Sequence, residues 1–254
     1  MDRENKGKII AILALCGCIV IGLLYLIVLG VVKPKVVEVE ATVTPTIEPT
    51  VEPTATPIPT PTPTIYDTTS NDSLYRIVNA SQTIDSSYIP SNLVKVDSSK
   101  ISMNKSHTLT EETYNALVEM NEAAKSAGYS MRLLSGYRSY EEQVSLYNYY
   151  VREYSQSWAD EIDDHPGSSE HQLGLCIDIG EASSNCDLNA CFANSSLYTW
   201  LHENCYKYGF IERYPEGKQE VTGIIYSPWH YRYVGKELAE KIYNSGLTLE
   251  EYCD

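Results

Sequence analysis

Positive charge is in short supply in this sequence: 19 Lys and Arg stand against 34 Asp and Glu over 254 residues, a formal net charge of −15. That balance argues against nucleic acid or an anionic lipid surface as the partner. Paired cysteine ligands are missing too. Of seven cysteines, Cys16 and Cys18 lie in an apolar run, and Cys176, Cys186, Cys191, Cys205 and Cys253 show no CxxC spacing, so a cysteine zinc site is disfavoured. Cys186 and Cys191 flank a short polar loop, and the sequence leaves open whether they pair in an oxidising compartment. Cys176 and Cys205 sit among apolar neighbours and read as buried small side chains. No internal repeat is evident. Histidine is scarce as well, with five in all, few enough to weigh singly.

The N-terminal third has no material for a core. Residues 1–8 are a short tail carrying Arg3, Lys6 and Lys8, and residues 9–32 are an unbroken apolar run. At about 1.5 Å per residue, a helix of that length crosses the roughly 30 Å hydrocarbon layer. A secretory signal would be shorter and end in a small-residue cleavage site, but Lys33-Pro34-Lys35 follows here. A retained transmembrane anchor with a cytoplasmic tail is therefore expected. Residues 33–65 are rich in Pro, Thr, Val and Glu and end in PTATPIPTPTPT. Regular proline favours polyproline II, and about thirty such residues reach on the order of 90 Å. Such a spacer suits a domain working on the cell-wall side of the membrane, away from the bilayer.

Residues 75–254 read as one α+β domain, a small antiparallel sheet with packed helices. Tyr114, Leu117, Val118, Ala124 and Ala127 form a helical stripe that starts at a Thr110 cap and stops at Gly128. Ser130–Leu134 reads as a strand. Ser139-Tyr140-Glu141-Glu142 is a capping box opening a second helix, with Val144, Tyr147, Tyr150, Val151 and Tyr154 on its buried side. A loop spans Asp163–Ser169, and Leu175–Ile179 reads as a strand of alternating character. Leu197, Trp200, Leu201 and Tyr208 mark a third helix ended by Gly209. Phe210–Tyr214, Gly223–Tyr226 and His230–Val234 read as strands, and Lys236–Gly246 as the last helix.

His171 and Asp178 lie seven residues apart in SEHQLGLCID, where a turn at Gly174 can bring imidazole and carboxylate to one face. His230 opens a later strand. Two imidazoles and one carboxylate leave a fourth tetrahedral position open, which is the pattern of a catalytic zinc site. By spacing alone, a satisfied structural histidine explains these residues equally well. HENCY at His202 imitates HExxH, but Tyr206 occupies the second ligand position and the motif fails.

Three blocks in order change that balance. SSEHQLGLCID resembles the SxHxxGxxxD motif of the LAS peptidases, SGYRSYEEQ resembles the SGYRSxxxQ segment of their VanY-type members, and SPWHYRYVG is similar to EPWHxRYVG. The resemblance runs from about Tyr75 to the C-terminus. It implies a zinc-dependent D-alanyl-D-alanine carboxypeptidase that trims peptidoglycan stem peptides, with His171, Asp178 and His230 as zinc ligands. Arg138 would contact the scissile carbonyl, a role that suits a fixed guanidinium; without the resemblance it reads as a helix-capping ion pair. Gln143 and Ser169 fall at positions that touch the substrate peptide. One position departs from the pattern. Ser227 stands where the family has the glutamate that takes a proton from the attacking water, and a hydroxyl is no base near neutral pH. Two readings follow: an active carboxypeptidase, and an impaired relative that binds zinc and wall peptides. A scaffold role is disfavoured because the implied ligand set is whole.

Overall fold

Residues that alternate between two destinations build the sheet that carries the candidate site. In the computed structural model, which describes residues 65–182 and 186–253, strand β5 (Cys176–Glu181) sends Ile177 and Ile179 into the main core and turns Cys176 and Asp178 to the opposite face. Strand β7 (His230–Tyr233) repeats this, with Tyr231 in the core and His230 and Arg232 opposite. Both faces are covered, so every residue of β5 up to Gly180 is buried. The alternation expected for a half-solvated strand is therefore replaced by a continuously buried one.

The remaining strands are β1 (Leu93–Lys95), β2 (Ser102–Met103), β3 (Thr108–Thr110), β4 (Met131–Ser135) and β6 (Phe210–Glu212). Of the seven strands among the described residues, five lie in the order β2-β4-β5-β7-β6, antiparallel except for the two-residue parallel pairing of β2 with β4. β1 and β3 form a separate antiparallel pair. Helix α1 (Glu111–Ser126) covers the core face through Leu117, Met120 and Ala124, joined by Leu197 and Leu201 of α4 (Ser196–Asn204). Thr110 caps α1 by accepting from the Thr113 amide, with Glu111 and Glu112 in the first turn. Helix α2 (Tyr140–Glu153) opens on the expected capping box, Ser139 with Glu142. Helices α3 (Gln156–Ile162), α5 (Gln219–Thr222), α6 (Lys236–Ser245) and α7 (Leu249–Cys253) complete the set.

Several expectations need correction. Of the stripe assigned to the buried side of α2, only Tyr147 is buried; Tyr154 is exposed and stacks on Trp158 of α3, a helix that the sequence pattern does not announce. Gly223–Tyr226 is no strand. Gly223 takes a left-handed φ of 80° to end α5, and Ile224, Ile225 and Tyr226 then line the cleft without a strand partner. The third helix stops at Asn204 and continues as a 3-10 turn, Cys205–Tyr208, before Gly209. Packing also reaches N-terminal of Tyr75, since Tyr66 contacts Tyr75 and Tyr252. Cys186 and Cys191 form a disulfide, while Cys176 and Cys205 are buried and free. No helix among the described residues is long and apolar enough to cross a membrane; the expected anchor at 9–32 and nearly all of the spacer lie outside them.

Candidate metal centre and cleft

Register brings the three candidate ligands together. Asp178 of β5 pairs directly with His230 of β7, and His171 arrives on a 3-10 turn (Glu170–Leu173) that Gly174 ends with a left-handed φ of 66°. An L-residue there would be strained, and its Cβ would press on Leu93 at 3.0 Å. The Asp178 carboxylate lies between the imidazoles, Oδ2 3.3 Å from His171 Nε2 and Oδ1 3.0 Å from His230 Nδ1. The two rings are nearly perpendicular, with centroids 5.1 Å apart. All three residues are about 95% or more buried.

Outer partners decide which nitrogens face the centre. His171 Nδ1 is 2.6 Å from the Gly136 carbonyl, which can only accept, so Nδ1 carries the proton and Nε2 is left with a lone pair. A Cβ on Gly136 would meet the Thr108 carbonyl at 2.7 Å, so the close approach that delivers this oxygen needs glycine. His230 Nε2 points toward Glu170 Oε2 at 3.8 Å, which leaves Nδ1 for the centre. Two donors on a tetrahedral zinc at about 2.0–2.1 Å stand about 3.3–3.4 Å apart. Each imidazole nitrogen stands near that separation from one oxygen of the Asp178 carboxylate, 3.3 Å from Oδ2 for His171 and 3.0 Å from Oδ1 for His230.

Electrostatics agree with a cation site. Burial alone would raise the Asp178 pKa, but His171 and His230 hold it well below the usual carboxylate range. Burial disfavours a charged His171, yet Cys176 and Asp178 outweigh it and lift its pKa to about 9. Cys176 escaped the sequence reading as a site residue. It lies two positions before Asp178 on the same strand, hence on the same face, and its sulfur falls within 4.8 Å of ligand atoms of both His171 and His230. It is fully buried and does not line the cleft.

Behind the centre lies a charged network. Glu170 Oε1 accepts from Arg213 Nε at 2.9 Å and Arg232 Nη1 at 2.7 Å, all three side chains being fully buried. Arg213 also pairs with Glu250 of α7. Burial works against an ionised Glu170, but the two guanidinium groups hold its pKa well below the usual range.

In front lies a cleft of about 1120 Å³, with His171, Asp178, Ser227 and His230 among its lining residues and Arg138, Tyr137 and Trp229 on its walls. The Arg138 amide donates to the His171 carbonyl at 3.1 Å, tying it to the centre. Its Nε is buried without a partner, and the nearest carboxylate, Asp163, is 3.8 Å from Nη1. Ser227 is buried and donates its hydroxyl to the Ile225 carbonyl at 2.9 Å. Gln143 and Ser169 sit behind the wall, not on it. Gln143 Nε2 donates to Asp163 Oδ2 at 3.1 Å and to the Asp164 carbonyl at 2.6 Å, so it holds the loop, and the buried Ser169 hydroxyl has no hydrogen-bond partner.

Known proteins resemble this chain in sequence and fold. A family model described as VanY, D-alanyl-D-alanine carboxypeptidase, matches residues 106–236. The carboxypeptidase-like protein YodJ of Bacillus subtilis (strain 168) is 39% identical over 185 residues, 72% of this chain and 68% of that one. Among solved structures, the LdcB LD-carboxypeptidase is similar at TM-score 0.66 and 38% identity, covering 72% of this chain and 86% of that one. A vancomycin-resistance D,D-pentapeptidase VanY, solved as a variant with Zn(II), is similar at TM-score 0.61 and 35% identity, covering 72% of this chain and 99% of that one. With the three motifs, the sheet that carries them and these matches in agreement, the chain belongs to the VanY family of D-alanyl-D-alanine carboxypeptidases.

Proposed function

We propose that this protein is a zinc-dependent carboxypeptidase that removes the terminal D-alanine from peptidoglycan stem peptides, on the outer side of the membrane to which residues 9–32 anchor it. One observation carries the reading: His171 Nε2 and His230 Nδ1 lie 3.3 and 3.0 Å from the two oxygens of the Asp178 carboxylate between them, on the lining of an open cleft. These three would hold the zinc. Bound there, zinc supplies Lewis-acid polarisation of the scissile carbonyl and makes water a stronger acid. The chain's own residues do the rest. Arg138, tied to the His171 backbone and with Nε unpartnered, offers fixed positive charge where the carbonyl oxygen becomes negative. Tyr137 and Trp229 confine the peptide.

Arg138→Ala is expected to lower kcat about 10²–10³-fold, the usual cost of losing one such donor, with a smaller change in KM. Arg138→Lys restores the charge without the planar fork and recovers only part. Steady-state kinetics on a pentapeptide stem reads both.

The second reading, an impaired relative that binds zinc and wall peptides, is favoured by Ser227 alone. Its hydroxyl is spent on the Ile225 carbonyl and has no negative charge with which to accept a proton. Full-length protein loaded with zinc should release D-alanine from penta- or tetrapeptide stems, and a chelator should stop it. Both stems are needed because the similar structures include an LD- and a D,D-enzyme. Zinc and peptide binding without release would favour the impaired relative.

A further inference from the structure

A site with its ordinary base position occupied by serine needs another proton acceptor if it is to turn over. Five carboxylates line the cleft: Glu141, Glu142, Asp163, Asp164 and Asp178. Four are engaged or remote in character. Asp178 lies between the two imidazoles. Glu142 receives the Ser139 amide in the capping box, and Glu141 is exposed on the first turn of α2. Asp163 accepts from Gln143 Nε2 at 3.1 Å and lies 3.8 Å from Arg138 Nη1, so its carboxylate is already engaged in the cleft wall.

Asp164 is different. Its position is fixed through the backbone, because the buried Gln143 amide donates to its carbonyl at 2.6 Å. It lines the same cleft as the candidate zinc ligands and Ser227, and it also lines a small second cavity that it shares with Tyr214. We infer that Asp164 is the general base of this site, supplying from the α3 loop the carboxylate that Ser227 lacks. The inference rests on the carboxypeptidase reading above.

In the step assigned to it, the water oxygen bonds to the scissile carbonyl carbon while one of its protons passes to Asp164. That proton then moves to the leaving nitrogen as the C–N bond breaks. D-alanine departs as the free amine, the second proton leaves with the new carboxyl group, and Asp164 is again a carboxylate. Nothing is oxidised or reduced. Its surroundings suit the task. Burial and the neighbouring Asp163 push its pKa up to about 6, against the pull of His230 and Arg138. A base near the working pH both exists in its accepting form and binds the proton usefully.

The test compares full-length wild type, Asp164→Asn, Ser227→Glu and the double variant, measuring kcat and KM on whichever stem peptide is cleaved. Zinc content and peptide affinity are measured alongside by titration. Asp164→Asn is expected to lose about 10²–10⁴-fold in kcat. KM, bound zinc and peptide affinity should stay unchanged. The wild-type acid limb of the pH–kcat profile should vanish. Adding Ser227→Glu to Asp164→Asn should restore at least tenfold. Retained kcat in Asp164→Asn overturns the inference while leaving the carboxypeptidase reading standing. So does a raised KM with kcat unchanged, which would make Asp164 an anchor for a substrate cation, or lost zinc, which would make it a ligand. A wild type that binds zinc and both stem peptides yet releases no D-alanine overturns both.

Discussion

Replacing Glu170 with alanine should cost the domain about 3–5 kcal/mol, the usual penalty for stranding a buried charge. The reason is local. Arg232 is fully buried, and Glu170 is the one carboxylate it meets among the described residues; its other partners are the carbonyls of Leu74, Arg76 and Tyr233. Arg213 keeps Glu250, so its share of the loss is smaller. For a domain of this size the melting temperature should fall on the order of 10 °C. The chemistry of the site falls with it, since His230 Nε2 and Glu170 Oε2 face each other at 3.8 Å and neither has another hydrogen-bond partner. Losing an outer carboxylate typically weakens metal binding about 10–100-fold. The double change Glu170→Met with Arg232→Met removes both charges and should recover part of the stability. Full recovery is not expected, because the three carbonyls lose their donor. A scan in which Glu170→Ala melts within 2 °C of wild type would sink this account. pH reports the same network. With its folded pKa depressed, Glu170 contributes fully above the ordinary glutamate range, and that contribution is lost as acid protonates it.

How legible all this was depends on the kind of signal. Local chemistry read well: the Thr110 cap, the Ser139–Glu142 box and the Gly174 turn each follow from residues a few positions apart. Non-local pairing did not. That Asp178 stands opposite His230 is a matter of register between strands 52 residues apart, which spacing raises only as one of two readings and the resemblance favours. The tyrosines of α2 misled because a stripe at helical spacing reads as core. Here Tyr150 and Tyr154 instead meet Trp158 of α3 in an aromatic cluster that is partly exposed. Gly223–Tyr226 misled in the opposite sense: apolar residues without a partner strand make a cleft edge, not a sheet edge.

The residues missed at the site share a cause. Cys176 looked like a small core side chain, and the alternation of a strand was the available clue that it shares a face with Asp178. Asp163 and Asp164 fall at the edge of a segment that the sequence marks only as loop. What makes them otherwise is Gln143, twenty residues earlier, whose buried amide pulls the loop into the wall. That same contact explains why Gln143 is not on the cleft surface where the resemblance put it: it acts on the loop, and through the loop on the cleft.

Asp178→Ala should abolish D-alanine release to the limit of detection, the largest effect expected of any single change. The carboxylate is shared between both imidazoles, so its loss removes one candidate ligand and the group that orients the other two. The penalty in zinc affinity should exceed the roughly 10–100-fold of an outer partner, because a donor atom itself is gone. Stability supplies a readout independent of catalysis. A ligand that binds only the folded state adds RT ln(1 + [L]/Kd), about 4.1 kcal/mol at a thousandfold excess over Kd. Wild type should therefore melt several degrees higher with zinc than with a chelator, and Asp178→Ala should melt at the same temperature in both. The chelated proteins should differ less. The substitution removes the carboxylate that holds charge on His171, and both rings can then shed their protons instead of standing charged and unpaired. A zinc-dependent rise in melting temperature that survives in Asp178→Ala would move the metal elsewhere. The compact group formed by His171, Cys176 and His230 would then be the place to look.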